Sequence, residues 1–228
     1  TLPFIAVAIQ EGNKRFTQEI DQRLAPKYIL QRNQVMEFIG AAYNNLCEYQ
    51  FTNRKNIQEF EEFIRKYLEE FIDVFLDDSK VNYRACLYWL DKNQDNLLFF
   101  TGYSTLTAQY TKESLPKEGS LAGYALENSF VVHFYPISPT MSSLPFFHKT
   151  RDKRYKSVAV CTVKHPTINN NFFPKMTLCV DCIHEQAKAF GDIDYISKVI
   201  VLLSIIFANA LTLMDINDEA IRKYIESR

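Results

Sequence analysis

The sequence predicts an α+β domain, and three observations predict it. Ile57, Phe60, Ile64, Tyr67, Phe71 and Val74 recur at alternating steps of three and four, with charged residues from Glu59 to Asp73 filling most positions between them; this is the stripe of an amphipathic helix. From Val81 the period becomes two. Val81, Tyr83, Ala85, Leu87 and Trp89 share one face of a strand, and Asn82, Arg84, Cys86 and Tyr88 share the other. Val199 to Met214 is then an apolar run interrupted only by Ser204, Asn209 and Thr212. Helices bracket a run of strands, the pattern of a sheet packed against helices.

Each element follows in order. Leu2 to Ile9 is apolar but far short of the roughly 20 residues that cross a bilayer. It reads either as the tail of a removed transmembrane helix or as a packed terminal segment. Pro26 suits the first turn of a helix, where its missing N–H costs nothing. Ile29, Met36, Ile39, Tyr43 and Leu46 then fall on one helical face. Thr52 to Asn56 breaks the pattern, and Asn56 with Glu59 forms a capping box for the next helix. Asp91 to Asn96 is a polar turn, so the strand over Leu97–Tyr103 makes a hairpin with the one before it. Ser120 caps a short helix ending near Asn128. A short strand covers Phe130–Tyr135, and an irregular segment with Pro136, Pro139 and Pro145 runs to Tyr155. Strands over Ser157–Lys164 and Met176–Ile183 are joined by a loop with two prolines and three consecutive asparagines. Asp192 or Asp194 caps the closing helix, which runs to about Leu213, and Asp215 to Arg228 continues helically. The closing helix reads as buried rather than spanning.

Composition narrows the functional classes. With 47% hydrophobic residues in 228, the chain has ample material for a core. A formal net charge of −1 gives no bulk attraction for nucleic acid or an anionic membrane. Neither Gly-x-x-x-x-Gly-Lys-Ser/Thr nor Gly-x-Gly-x-x-Gly occurs. Five irregularly spaced cysteines argue against a disulfide framework and for a reducing, cytoplasmic setting. No signal peptide is visible. The chain starts at Thr1, which reads as a cut or processed form, so it is expected in the cytoplasm or as the cytosolic part of a membrane-anchored protein.

One stretch carries a resemblance. Gly119-Ser-Leu-Ala-Gly123, Val131-Val132, Ser157-Val158-Ala159-Val160, Leu178 to Asp181, and Phe190 ahead of a capped helix stand in the order seen in GAF domains. The chain resembles a GAF domain over about Gln58 to Leu213. The resemblance implies a GAF-like (PAS-like) central antiparallel sheet of about six strands, with helices on one face and a ligand pocket on the other. The pocket would lie under the loops at about 104–120 and 136–156. The domains expected are an N-terminal helical extension over 1–55, the sensor domain over 56–214 and a C-terminal helical extension over 215–228. GAF domains are small-molecule sensors whose first and last helices commonly pack in dimers and relay signals.

Departures from the family pattern restrict the subfamily. The Asn-Lys-x-x-x-Phe-x-x-x-Asp-Glu signature of cyclic-nucleotide-binding members is absent. No cysteine lies between Tyr88 and Val160, where the pigment-binding branch would attach a bilin. Cys161 replaces a usual proline, and the usual glycine opening the last strand is missing at Met176–Thr177. Cys179 and Cys182 with His184 suggest zinc or redox chemistry. Residues three apart on a strand point to opposite faces, however, and zinc takes about four ligands. No metal site is expected. His133, His148, His165 and His184 are scattered and single out no triad. The basic run from His148 to Lys156 reads as a solvated loop or as a source of cations for an anionic ligand.

The pocket residues expected from this reading are Phe99, Thr101, Tyr103, Tyr124, His133, Tyr135, Phe147, Arg151, Arg154 and Cys161. Aromatic walls and a few polar groups are what a small-molecule site needs, and Arg151 or Arg154 could hold a carboxylate or phosphate by two hydrogen bonds. The function expected is a non-enzymatic sensor, homodimeric, with a small-molecule ligand or partner that the sequence does not name. No nucleic acid and no membrane insertion by this segment are expected. The alternatives are an interaction scaffold with a filled pocket, or a cysteine-dependent reductase acting on methionine sulfoxide.

Overall fold

A computed structural model describes residues 26–52, 56–76, 81–105, 114–128, 133–136, 157–163, 176–182 and 190–228. The chain divides into a unit over Thr1–Ala41 and a unit over Ala42–Arg228. The elements are α1 (Pro26–Thr52), α2 (Ile57–Phe75), β1 (Tyr83–Leu90), β2 (Asn96–Ser104), β3 (Leu115–Pro116), α3 (Leu121–Asn128), β4 (His133–Pro136), β5 (Ser157–Val163), β6 (Met176–Cys182), α4 (Ile193–Leu213) and α5 (Asp218–Glu226).

The strands form one sheet in the order β3-β2-β1-β6-β5-β4. Every neighbouring pair is antiparallel. The edge strand β3 has two residues, so five strands carry the sheet.

Capping by side chains sets the helix starts. Asn56 accepts from the Gln58 and Glu59 amides at 3.1 and 3.4 Å, and its own amide donates to Glu59 Oε1 at 3.0 Å. Asp192 rather than Asp194 caps α4, accepting from the Tyr195 amide at 3.1 Å. Ser120 Oγ accepts from the Gly123 amide at 3.0 Å to start α3. Such caps are each worth about 0.5–2 kcal/mol.

Helices α2, α4 and α5 pack on one face of the sheet. The stripe of α2 is wider than the sequence pattern suggested. Phe63, Leu68 and Ile72 are buried beside Phe60, Ile64, Tyr67 and Phe71, while Val74 is exposed. Phe100 of β2 is the hub of this layer, with ring centroids 5.6 Å from Phe60, 6.4 Å from Trp89 and 6.4 Å from Tyr224. On α1 the buried positions are Phe38, Ala42 and Leu46. Met36 and Tyr43, assigned to the packed stripe from periodicity, are exposed. The side chain of Ile29 lies outside the described ones. Tyr43 Oη instead accepts from Asn209 of α4 at 2.7 Å.

In the C-terminal region the closing helix is as expected and the segment after it is not. Helix α4 is 21 residues long, starting before the apolar run does, and by length and composition it is apolar enough to cross a membrane. Its Val199, Ile200, Leu203 and Phe207 are buried in the core. The chain does not continue helically from Asp215. Asp215 takes φ 54°, the Ile216 amide reaches back to the Leu211 carbonyl at 3.1 Å, and Asn217 caps the separate helix α5.

Candidate functional site

The opposite face of the sheet carries the candidate site, and helix α3 covers one end of it. The residues of β1 that alternate with the Trp89 set, namely Arg84, Cys86, Tyr88 and Leu90, stand on this face. Cys86, Tyr88, Leu90, Leu97, Val160 and Cys179 form a buried cluster with Ala122 and Ala125 of α3, and Phe99 and Val158 pack against it. The helix is held down by two threonines of the sheet. Thr162 Oγ1 donates to the Ala125 carbonyl, and Thr177 Oγ1 donates to that of Ala122 at 3.4 Å.

Close approach here depends on one glycine. A Cβ on Gly123 would lie 1.9 Å from the Lys117 carbonyl oxygen. Gly119, at φ 72°, turns the chain into the helix. Both belong to the small-residue stretch on which the family resemblance rests.

Beyond α3 the face becomes polar. Arg84 and Asp181 are cross-strand neighbours on β1 and β6. Arg84 Nε donates to the two carboxylate oxygens at 3.1 and 2.9 Å, and Nη2 donates to Oδ2 at 2.5 Å. Their side chains are only 14% and 5% exposed, so the pair is largely withdrawn from water. Burial opposes the Arg84 charge, but Cys86 and Asp181 outweigh it and hold the guanidinium above its ordinary pKa. Cys86 and Cys179 are the next cross-strand pair, and Gly102 lies opposite Cys86 with no side chain. Tyr88 and Phe99 close the apolar end with ring centroids 6.0 Å apart, edge to face.

The acid–base character of the site is subdued. Burial pushes the Tyr88 hydroxyl and the Cys179 thiol well above their usual ranges. A buried thiol kept protonated is a poor nucleophile and a poor metal ligand. Among the described residues, no group of three or more His, Cys, Asp and Glu side chains could hold a metal.

The structure does not bring the expected pocket residues together on one face. Phe99 stands on the site face. Leu87 pairs with Thr101 and Tyr88 with Phe99, so Phe100 is an extra residue that shifts the alternation. Thr101 and Tyr103 therefore fall on the helix-covered face, where Tyr103 hydrogen-bonds Glu69 of α2. Cys161 also belongs to that face: its thiol hydrogen-bonds Ser204 of α4, and burial raises its pKa to about 11. Tyr124 is half-buried on α3. His133 and Tyr135 pair in the backbone ladder with Val160 and Val158. Phe147, Arg151 and Arg154 lie outside the described residues.

Sequence reasoning missed Arg84, Cys86, Tyr88, Gly102, Cys179 and Asp181 as site residues. The signal was present in β1, where Arg84, Cys86 and Tyr88 alternate with the Trp89 face.

Solved structures with this fold include two GAF domains. One is the GAF domain from an Acinetobacter phosphoenolpyruvate-protein phosphotransferase, with a TM-score of 0.54, 11% identity, and coverage of 83% of this chain and 95% of that one. The other is the GAF domain from a phosphoenolpyruvate-protein phosphotransferase of Coxiella burnetii, at TM-score 0.51 and 12% identity, covering 78% of this chain and 93% of that one. This chain has the GAF fold. No family model matches the sequence, and no curated protein matches it.

Proposed function

We propose that this GAF domain is a non-enzymatic sensor that binds a small molecule on the sheet face beyond α3 and passes the state on through its terminal helices as a homodimer. One observation carries the reading. An apolar face with Tyr88 and Phe99 holds a buried, two-pronged Arg84–Asp181 pair, next to the Cys86–Gly102 pair of β1 and β2, where Gly102 contributes no side chain. A mostly apolar surface with a few fixed polar groups is what small-molecule sites are made of. The ligand class that fits is a small molecule with an apolar body and a carboxylate or phosphate. Arg84 is already paired with Asp181, so the cation for that group would come from the basic run with Arg151 and Arg154. The homodimer is supported by the exposed apolar side chains Met36 and Tyr43, seven residues apart on α1.

A thermal-shift screen of small carboxylates and phosphates tests this reading. A hit should raise the melting temperature of the wild type and fail on Gly102→Val, which adds a branched side chain there. Loss on Arg154→Ala as well would place the anion among the basic run. No hit, or hits indifferent to both substitutions, would sink the ligand reading. The second reading, an interaction scaffold with a filled pocket, has its own support in Ala122 and Ala125, which lie in the buried cluster of this face and accept hydrogen bonds from Thr177 and Thr162. It predicts no ligand but a dimer by light scattering at high micromolar concentration. A monomer there would remove the homodimer from both readings.

A further inference from the structure

Helix α5 is attached to the sheet differently from every other helix of the helix-covered layer. Its only buried residue is Ile221; its other ties are the edge contact of the Tyr224 ring with Phe100 and a set of polar contacts. The indole N–H of Trp89 donates to Asp218 at 2.5 Å. Arg222 Nε donates to the Leu90 carbonyl at 3.2 Å and its guanidinium also pairs with Asp218. Tyr224 Oη and Arg228 Nη1 both donate to Glu61 Oε2 at 2.7 Å, and Arg228 lies over the Tyr224 ring. By contrast, α2 and α4 are held by seven and ten buried residues.

The link to α4 has the character of a hinge. Met214 to Asn217 contains neither proline nor glycine, yet Asp215 sits at φ 54°, a region L-residues rarely enter. Nothing in these four residues forbids helical angles, and a nine-residue helix has little stability of its own. The bend has its own local hydrogen bonds, from the Ile216 amide to the Leu211 carbonyl and from the Ala220 amide to the Asn217 side chain, and the docked α5 adds the contacts above. The dock is also next to the candidate site in the chain: Trp89, fully buried on one side of β1, follows Tyr88, buried on the other.

We infer that α5 is a reversible clasp that opens as a unit from Trp89 and Glu61 while the sheet and the rest of the helix layer stay folded. Opening uncovers the Trp89–Phe100 edge and frees the C-terminal segment to change direction at Asp215. The clasp rests on its own contacts and needs no ligand on the opposite face.

Trp89 is the only tryptophan in the chain, so its emission reports the dock directly. Hydrogen exchange supplies the second readout. In the wild-type protein, the amides from Ile221 to Ser227 should exchange at least about 100-fold faster than those of β6, which report global opening. Arg222→Ala, and separately Asp215→Val at the positive-φ hinge, should speed α5 exchange by roughly tenfold more without speeding β6. Both should shift Trp89 emission to the red. The clasp is wrong if α5 and β6 amides exchange together in the wild type. It is also wrong if the substitutions speed both by the same factor, or if Trp89 emission stays fixed while α5 exchange accelerates.

Discussion

The two faces of the sheet are both buried, yet they are built from different chemistry. The helix-covered face is a set of interlocking rings, Phe60, Trp89, Phe100 and Tyr224, with Phe63 and Tyr67 behind them. The α3 face has fewer rings and includes an Arg–Asp pair, two thiols and two threonine hydroxyls that donate to α3. Apolar burial on the first face is favourable in itself. Buried charges on the second cost desolvation, and an apolar pair of the same volume is often as stable or more so. Groups that cost stability are therefore concentrated on the face proposed for the ligand, and that asymmetry is what distinguishes the two faces.

The sharpest way to break the comparison is at the ion pair. Arg84→Met alone leaves Asp181 buried without its cation and should cost about 3–5 kcal/mol in urea unfolding. Adding Asp181→Leu should recover most of that, because the double variant makes this face chemically like the other. A single variant within about 1 kcal/mol of wild type would mean the pair is solvated, as surface pairs are.

Adjacent residues of β2 compare the faces next. Phe100→Ala, in the ring layer, should cost about 3–5 kcal/mol, the usual range for a fully buried aromatic. Phe99→Ala, on the half-buried site side, should cost less, about 1–3 kcal/mol. Equal losses measured by chemical denaturation would show that the site face is as fully packed as the core.

Gly123→Ala should cost about 1–3 kcal/mol, since the added methyl meets a backbone oxygen that cannot rotate away. Loss of the α3 amide protection, with the Trp89 environment unchanged, would confine the damage to the site face. No change in stability would mean that α3 can move off Lys117 at little cost.

The smallest effect is a pH dependence from the helix-covered face. Burial raises the Cys161 thiol from 9.0 to about 11, with the Ser204 hydrogen bond opposing it. The folded state holds the proton that the unfolded state releases, so this contribution is whole below pH 9 and is lost as pH rises towards 11. It amounts to about 2–3 kcal/mol at most. Cys161→Ala should flatten the fall in stability between pH 9 and 11, and an unchanged slope would assign it to the other buried thiols and tyrosines.

Much of the fold could be read from residues acting locally. Asn56, Ser120 and Asp192 cap helices through their own side chains, and the alternation in β1 separates Arg84, Cys86 and Tyr88 from Trp89 without outside help. The short helix after Gly119 follows from a local signal too, while the antiparallel sheet was expected only from the resemblance to GAF domains. The site was less legible because it depends on register. Thr101 and Tyr103 match Phe99 by period two, but the extra residue at Phe100 lies within the pairing with β1 and turns both to the helices. Which face Cys161 takes was settled by its neighbours on β6 and α4, not by its own sequence context. The break at Asp215 is of the same kind. Met214 to Asn217 is compatible with a continuous helix; the bend is closed by the Ile216–Leu211 hydrogen bond and the Asn217 cap, and the docking of Asp218, Arg222 and Tyr224 onto Trp89, Leu90 and Glu61 favours it over a straight helix. Caps and alternation are short-range and written in the chain; bulges, facing and bends are decided by which distant surfaces meet, and that is a property of the tertiary structure alone.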